Sequence, residues 1–222
     1  MRIDCLKIYT EKLPAQKRFY SEVLRLPVKQ TSEEEIEIQI GFSVLKIRQK
    51  KGATPYHIAF HIPAQQEMKA LQWLKQRVLI LKNAEEEIVD FPAWKAKSIY
   101  FYDADKNVME FISRRHFFPS QSEEFSGKSL VGIAEIGLAT NNVKNVFDFL
   151  NQKTGLEKFT GDYERFCATG DEEGLFIVID KNQKDWIPMN DKAFASEFIT
   201  DIVHRNKKYP LIFEEDELKE RK

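Results

Sequence analysis

Apolar and polar residues alternate along short stretches of the chain, and between those stretches apolar residues recur at helical spacing. Residues 3–9, 56–62 and 133–140 read as strands by their period of two. Each is followed by an amphipathic helix, over roughly 13–24, 64–76 and 143–153. The second helix carries Met68, Leu71 and Leu74 on one stripe, and the third Val143, Val146, Phe147 and Leu150. Asn141 or Asn142 has the side chain to cap the third helix. Two further strands follow each helix: 35–40 and 43–49 about Gly41-Phe42, 98–103 and 108–113, and 165–169 and 175–179 about the turn from Gly170 to Gly174.

The three segments share a register. If Cys5, His57 and Glu135 occupy equivalent strand positions, fourteen residues on from each come Phe19, Leu71 and Phe149, in the helix stripes. Twenty-one residues on come Leu26, Val78 and Leu156, just past the helix ends. Equal spacing in three places predicts one supersecondary unit used three times. The unit is βαβββ-like and the fold class α+β: paired units forming a cupped mixed sheet covered by helices, with an additional C-terminal unit. The expected organisation is a complete two-unit domain over 1–113, a Ser/Pro/Gly-containing linker over 114–130 and a third, partial unit over 131–204. Phe198 to His204 is a candidate start of an incomplete fourth unit, and 205–222 reads as a charged tail, a solvated helix or a frayed end.

The strand 108–113 contains the least expected residue of the pattern. Alternation places Val108, Glu110 and Ile112 on one face, and Met109 and Phe111 on the other. A carboxylate inside such a strand must be solvated, paired or bound to a cation, because burying it alone is too costly.

Composition narrows the function classes. Of 222 residues, 42% are hydrophobic and 12% aromatic, 17 of them Phe, enough for a sizeable core. Lys and Arg number 34 against 35 Asp and Glu, a net charge of −1, so the charge balance points to neither nucleic acid nor an anionic membrane. Cys5 and Cys167 have no metal-knuckle or redox spacing and read as reduced thiols of a cytoplasmic protein. The N-terminal residues form no apolar signal region, and no run reaches transmembrane length.

Three motifs together resemble the vicinal oxygen chelate superfamily: glyoxalases, bleomycin- and fosfomycin-resistance proteins, and extradiol dioxygenases. They are the helix end from Arg18 to Leu26, the strand Tyr56-His57-Ile58-Ala59-Phe60, and the stretch from Tyr100 to Glu110 through Asp103-Ala104-Asp105-Lys106-Asn107. The chain departs from the family pattern at Ala104 and Lys106, which replace a turn Pro and Gly, and at Arg25, which replaces a helix-terminal Gly. In that family metal ligands come from the first and last strands of two units, on the concave face of the sheet. The resemblance carries these positions onto Cys5 and Lys46 of the first unit, and onto His57 and Glu110 of the second.

Lys46 cannot ligate a cation as an ammonium. Two accounts of this face follow. Cys5, His57 and Glu110 form a three-ligand set for one divalent metal (Zn, Fe, Mn or Ni). Alternatively Lys46 neutralises Glu110 and no metal binds, the account that ranks first because an ammonium opposes a nearby dication. Alternation adds Lys7, Tyr9, Gln39, Arg48 and His61 as candidate ligand-binding residues beside Lys46, and Tyr100, Tyr102 and Glu37 as candidate proton-handling groups. The resemblance implies lyase, isomerase or dioxygenase chemistry on a small anionic or vicinal-oxygen ligand. The other readings are a metal-free sequestering protein and an assembly scaffold, and a homodimer is the assembly that the resemblance implies. Glu135 repeats the ligand position in the third unit. Its partner position there reads as Phe176, which argues against a second metal site.

Overall fold

The computed structural model describes residues 1–119 and 123–221. The first unit is β1 (Arg2–Thr10), α1 (Leu13–Arg18, continued by a π-helical turn over Phe19–Val23), β2 (Val28–Ser32), β3 (Glu35–Ile40) and β4 (Ser43–Gln49). The second is β5 (His57–His61), α2 (Glu67–Lys75), β6 (Ile80–Leu81), β7 (Val89–Phe91), β8 (Ala96–Tyr102) and β9 (Val108–Arg114). The third is β10 (Gly132–Thr140), α3 (Val143–Thr154), β11 (Lys158–Gly161), β12 (Phe166–Asp171) and β13 (Gly174–Asp180). A fourth, helix-free unit follows: β14 (Phe198–His204), β15 (Lys207–Glu214) and β16 (Glu217–Glu220).

In each of the first three units the first strand pairs in parallel with the last, the connection that needs a crossover helix: β1 with β4, β5 with β9, β10 with β13. The fourth unit has no crossover and is an antiparallel meander. The residues expected as a charged tail therefore form a hairpin. Leu211, Phe213 and Leu218 enter the core from it, while the charged side chains keep to its outer face and its edge.

The units join in an order different from the expected one. The first strand of unit two, β5, pairs antiparallel with β10 of unit three, through Ala59 opposite Glu135 and Ile58 opposite Ile136. The first strand of unit one, β1, pairs antiparallel with β14 of unit four, through Cys5 opposite Asp201 and Lys7 opposite Ile199. The two halves meet at Ile3 opposite Ile133, and Ser43 reinforces that junction by donating to the Ile3 carbonyl and accepting from the Ile133 amide. Residues 1–113 are thus not a closed two-unit cup. Unit two makes its cup with unit three.

Helix ends follow their sequence signals. Asn142 caps α3 by accepting from the Asn145 amide at 3.0 Å, and Gly155 ends the helix in a left-handed conformation. Helix α2 is shorter than its pattern suggested, and its stripe is Ala70, Leu71 and Leu74, with Met68 exposed. The turn between β8 and β9 is fixed from within. Asp103 is buried and accepts from the amides of Asp105 and Asn107 and from the Asn107, Gln16 and Tyr20 side chains, which ties helix α1 to unit two. Five donors satisfy this carboxylate without any cation. Arg25 and Lys106 both take positive φ, so the positions where Gly was expected do adopt the left-handed conformation, at the steric cost of a side chain.

The segment read as a linker packs against the fold. Phe118 lies edge-on to His61 at 5.1 Å, Phe125 edge-on to Trp73 at 5.7 Å, and Gly127 abuts the Leu24 carbonyl, where a Cβ would come within 2.6 Å. Ser120, Gln121 and Ser122 of that segment lie outside the described residues, as does Lys222 at the chain end.

Candidate functional site

The two cups differ in what covers their concave faces. In β1 and β4 buried and half-exposed residues alternate, so the concave face of units one and four is open to water. In β5, β9, β10 and β13 every residue is buried, on both faces. The outer faces lie under the helices. The concave face of units two and three is closed by residues 181–197, a strap between β13 and β14 that carries Trp186 into the cup.

Most of the predicted site residues lie in the open cup, where they neutralise one another. Lys46 pairs with Glu37, Lys7 with Glu35 at 2.8 Å, and Arg48 approaches Glu34 at 3.6 Å. Gln39 donates to the Gly41 and Ser43 carbonyls, and the Lys50 ammonium lies over the Tyr9 ring at 4.7 Å. Cys5 is half-buried, and burial raises its thiol pKa, so it is not a ready thiolate ligand. Glu37, with its pKa lowered by Lys46, is a surface ion-pair partner and not a proton-handling group of the closed cup. The expectation that Lys46 neutralises Glu110 is therefore corrected. The ammonium belongs to the other half of the sheet and is already paired.

His57 and Glu110 do come together, and the third member of their cluster is Glu135. One imidazole nitrogen and one oxygen from each carboxylate lie within 4.8 Å of one another, and all three residues are buried. Strand register produces the cluster. Glu110 stands opposite Ala59 on the parallel partner of β5, and Glu135 stands opposite the same Ala59 on the antiparallel partner. A small residue between them lets the two carboxylates approach. In unit three the position equivalent to Glu110 is Ile177, which lines the cavity, whereas Phe176 points into the core beneath the helices. The expected fourth position is therefore apolar, and Ile177 rather than Phe176 occupies it.

Hydrogen bonding fixes the state of each group. His57 Nδ1 lies 3.2 Å from the Val108 carbonyl, which can only accept, so Nδ1 carries the hydrogen and Nε2 is a bare lone pair. Burial lowers the His57 pKa to about 4, which keeps the ring neutral. Its Nε2 faces Glu110 Oε2 at 3.4 Å. Burial, with Glu135 close by, pushes the Glu110 carboxyl well above the ordinary range, while the Ser98 hydroxyl donates to its Oε1. Glu135 is held by Arg114, whose Nη2 donates to Oε1 at 2.8 Å in a pair buried at both ends. The remaining Arg114 donors, Nε and Nη1, have no acceptor among the described residues. The core of the site is thus a lone pair and two carboxyl groups turned toward one another. It requires a shared proton or a cation to be stable.

Above the cluster is a cavity of about 310 Å³ walled by Phe91, Trp94, Phe166, Ile177 and Trp186. Trp186 stacks on His57 with centroids 5.0 Å apart. Gly137 makes that stack possible, since a Cβ there would come 2.7 Å from the indole and 2.9 Å from His57 Cβ. Tyr100 lies cross-strand from Glu110 and lines the cavity. Burial and the two carboxyls push its phenol well above the usual range, so it is a fixed hydrogen donor and not a base. Tyr102 lies outside the cavity. It donates to both oxygens of Asp191 at 2.7–2.8 Å, anchoring the strap, and its pKa rises to about 12 through burial and Asp191. His61 is buried, donates through Nε2 to the Glu173 carbonyl at 3.0 Å, and has its pKa lowered to about 3 by burial; it is a structural residue, not a ligand contact.

No family model and no curated protein matches this chain. Solved structures do. A Bacillus subtilis protein described as a candidate dioxygenase superposes with a TM-score of 0.58 at 13% identity, over 81% of this chain and 63% of that one. The chain therefore spans under two thirds of that protein. A glyoxalase/bleomycin resistance protein/dioxygenase from Nocardioides matches 55% of the chain and 89% of its own length, with 18% identity and a TM-score of 0.41. A lactoylglutathione lyase from Agrobacterium tumefaciens matches 50% and 92%, with 17% identity and a TM-score of 0.41. The fold is that of the vicinal oxygen chelate proteins, a mixed sheet with few helices. Among the described residues no helix is long and apolar enough to cross a membrane.

Proposed function

We propose that this chain holds one divalent cation at His57, Glu110 and Glu135 and binds a small ligand beside it in the aromatic cavity, for metal-assisted lyase, isomerase or dioxygenase chemistry. The observation that carries the reading is the convergence of the bare His57 Nε2 with two carboxyl groups inside 4.8 Å. The donor set suits such an ion. It offers one imidazole nitrogen with its tautomer fixed by Val108 and two carboxyls oriented by Ser98 and Arg114, and an apolar Ile177 leaves further coordination positions to a ligand. When bound, a divalent ion supplies Lewis-acid charge to two adjacent ligand oxygens.

The chain's own groups do the rest. Glu110 would release its proton on taking up the cation, Tyr100 keeps its hydroxyl hydrogen beside Glu110, and Trp186 covers the His57 ring. Titration of Zn²⁺ and Mn²⁺ into metal-stripped protein tests the reading. One equivalent is expected, with the loss of at least about tenfold in affinity in Glu135→Gln. Equal affinity in Glu135→Gln, or no binding by the wild type, overturns it.

A second reading has its own support. Arg114 already neutralises Glu135, and a proton on Glu110 completes the neutral cluster, so the cup also suits metal-free sequestration of a ligand. Wild-type protein that stays metal-free in the titration and still binds ligands would favour it.

A further inference from the structure

The cavity has a second polar pole. Lys184, on the strap, lines it, with the ammonium 5.8 Å from the centroid of Phe166. No carboxylate pairs with this lysine among the described residues. The neighbouring Asp185 also lines the cavity but is exposed to solvent and forms no ion pair with Lys184, accepting instead from the Ala193 amide at 3.3 Å, and the nearby Lys181 has its own partner in Asp216 at 3.1 Å. Burial and the proximity of Arg165 lower the Lys184 pKa, as expected for a cation lacking a counter-charge. Keeping an unpaired ammonium in an aromatic wall costs solvation free energy, and a bound anion would offset that cost. The size of the space limits the anion. At about 310 Å³ it is roughly twice the apolar cavity of about 150 Å³ that accepts benzene, and it stands at the small end of ligand sites.

We propose that the cavity takes a small aromatic carboxylate, a single substituted ring, with Lys184 pairing the carboxylate, the Phe91, Trp94, Phe166 and Trp186 wall taking the ring, and the polar floor receiving its remaining oxygens. The last clause rests on the proposed function; the pairing with Lys184 does not.

The test uses Trp94 and Trp186, both in the wall, as fluorescent reporters, with benzoate and benzyl alcohol as a charged and a neutral probe of similar size. Wild-type protein is expected to bind benzoate more tightly than benzyl alcohol. Lys184→Met should weaken benzoate by at least about tenfold while leaving benzyl alcohol within about twofold, and Lys184→Arg should restore benzoate binding. Benzoate binding that is unchanged in Lys184→Met, equal loss of both probes, or failure of the wild type to bind benzoate overturns the inference. Metal stoichiometry measured on the same samples separates the two claims. Metal binding without benzoate discrimination sinks the ligand class alone, and benzoate discrimination without metal binding sinks the metal site alone.

Discussion

Arg114 is the residue whose removal tests most about the electrostatics of the cup. Among the described residues its guanidinium is the one cation that hydrogen-bonds a carboxylate of the cluster, through the 2.8 Å contact with Glu135, and both partners are buried. In Arg114→Met the stem is replaced and the charge lost. Leaving a bare carboxylate there would cost about 3–5 kcal/mol, but Glu135 has a cheaper course, which is to take up a proton. From the ordinary Glu value of 4.5, holding that proton at pH 7 costs about 1.36 × 2.5, or roughly 3.4 kcal/mol, and about 1.4 kcal/mol at pH 5.5. These are upper values, because burial already raises the Glu135 pKa in the wild type. The sign follows from linkage. The folded variant binds a proton that the unfolded chain has released, so its stability falls as pH rises above 4.5. Urea denaturation of wild type and variant at pH 5.5 and 7 checks this. The variant should lose about 3 kcal/mol at pH 7 and about half of that or less at pH 5.5, and the double variant Arg114→Met/Glu135→Gln should recover most of it. A pH-independent loss, or a double variant no better than the single, would show that protonation of Glu135 does not carry the effect.

Other expectations follow from single contacts. His57 and His61 are buried neutral, with pKa values of about 4 and 3 against an ordinary 6.5. Their contributions are complete above pH 6.5 and are lost as pH falls toward those values, so acid denaturation should begin below pH 6.5, and His61→Phe should flatten its slope by about one proton. Gly137→Ala places a methyl 2.7 Å from the Trp186 ring. It should cost about 1–3 kcal/mol in denaturant titrations and shift Trp fluorescence as the indole leaves His57. Lys46→Gln breaks only its pair with Glu37 in the open cup; calorimetry should find metal affinity unchanged and stability within about 1 kcal/mol of wild type.

What the sequence could reveal was what is local. Period-two and period-3.6 patterns are set by each residue's immediate neighbours, so the strands, the helices, the Asn142 cap and the threefold repeat were legible. So were His57 and Glu110 as cup-facing residues. The short β6, β7 and β11 were not, having too few residues to show a period, nor was β2, whose five residues include a single apolar one, Val28. The pairing of units was also hidden, because the first strand of each unit is alike in pattern and nothing local specifies which two share a cup. That choice shows in residues scattered along the chain: small Ala59 between Glu110 and Glu135, Gly137 against the His57–Trp186 stack, the Ser43 clamp at the junction, and the strap carrying Trp186. Glu135 stood at the repeated ligand position in the sequence. Its partners belong to unit two, across the β5–β10 pairing, and among the described residues its own unit supplies none. Arg114 gave no signal, sitting at the end of a strand among surface-like basic residues, yet it is buried. Charge in the hairpin of residues 207–220 likewise concealed a core-facing row of Leu211, Phe213 and Leu218.

Units two and three, not one and two, bring His57, Glu110 and Glu135 together. An anomalous difference map from crystals soaked in Mn²⁺ or Zn²⁺ shows whether a cation binds there. One peak is expected about 2.0–2.3 Å from His57 Nε2 and from oxygens of Glu110 and Glu135. A peak at Cys5, or none at the His57–Glu110–Glu135 cluster, would overturn the proposed site.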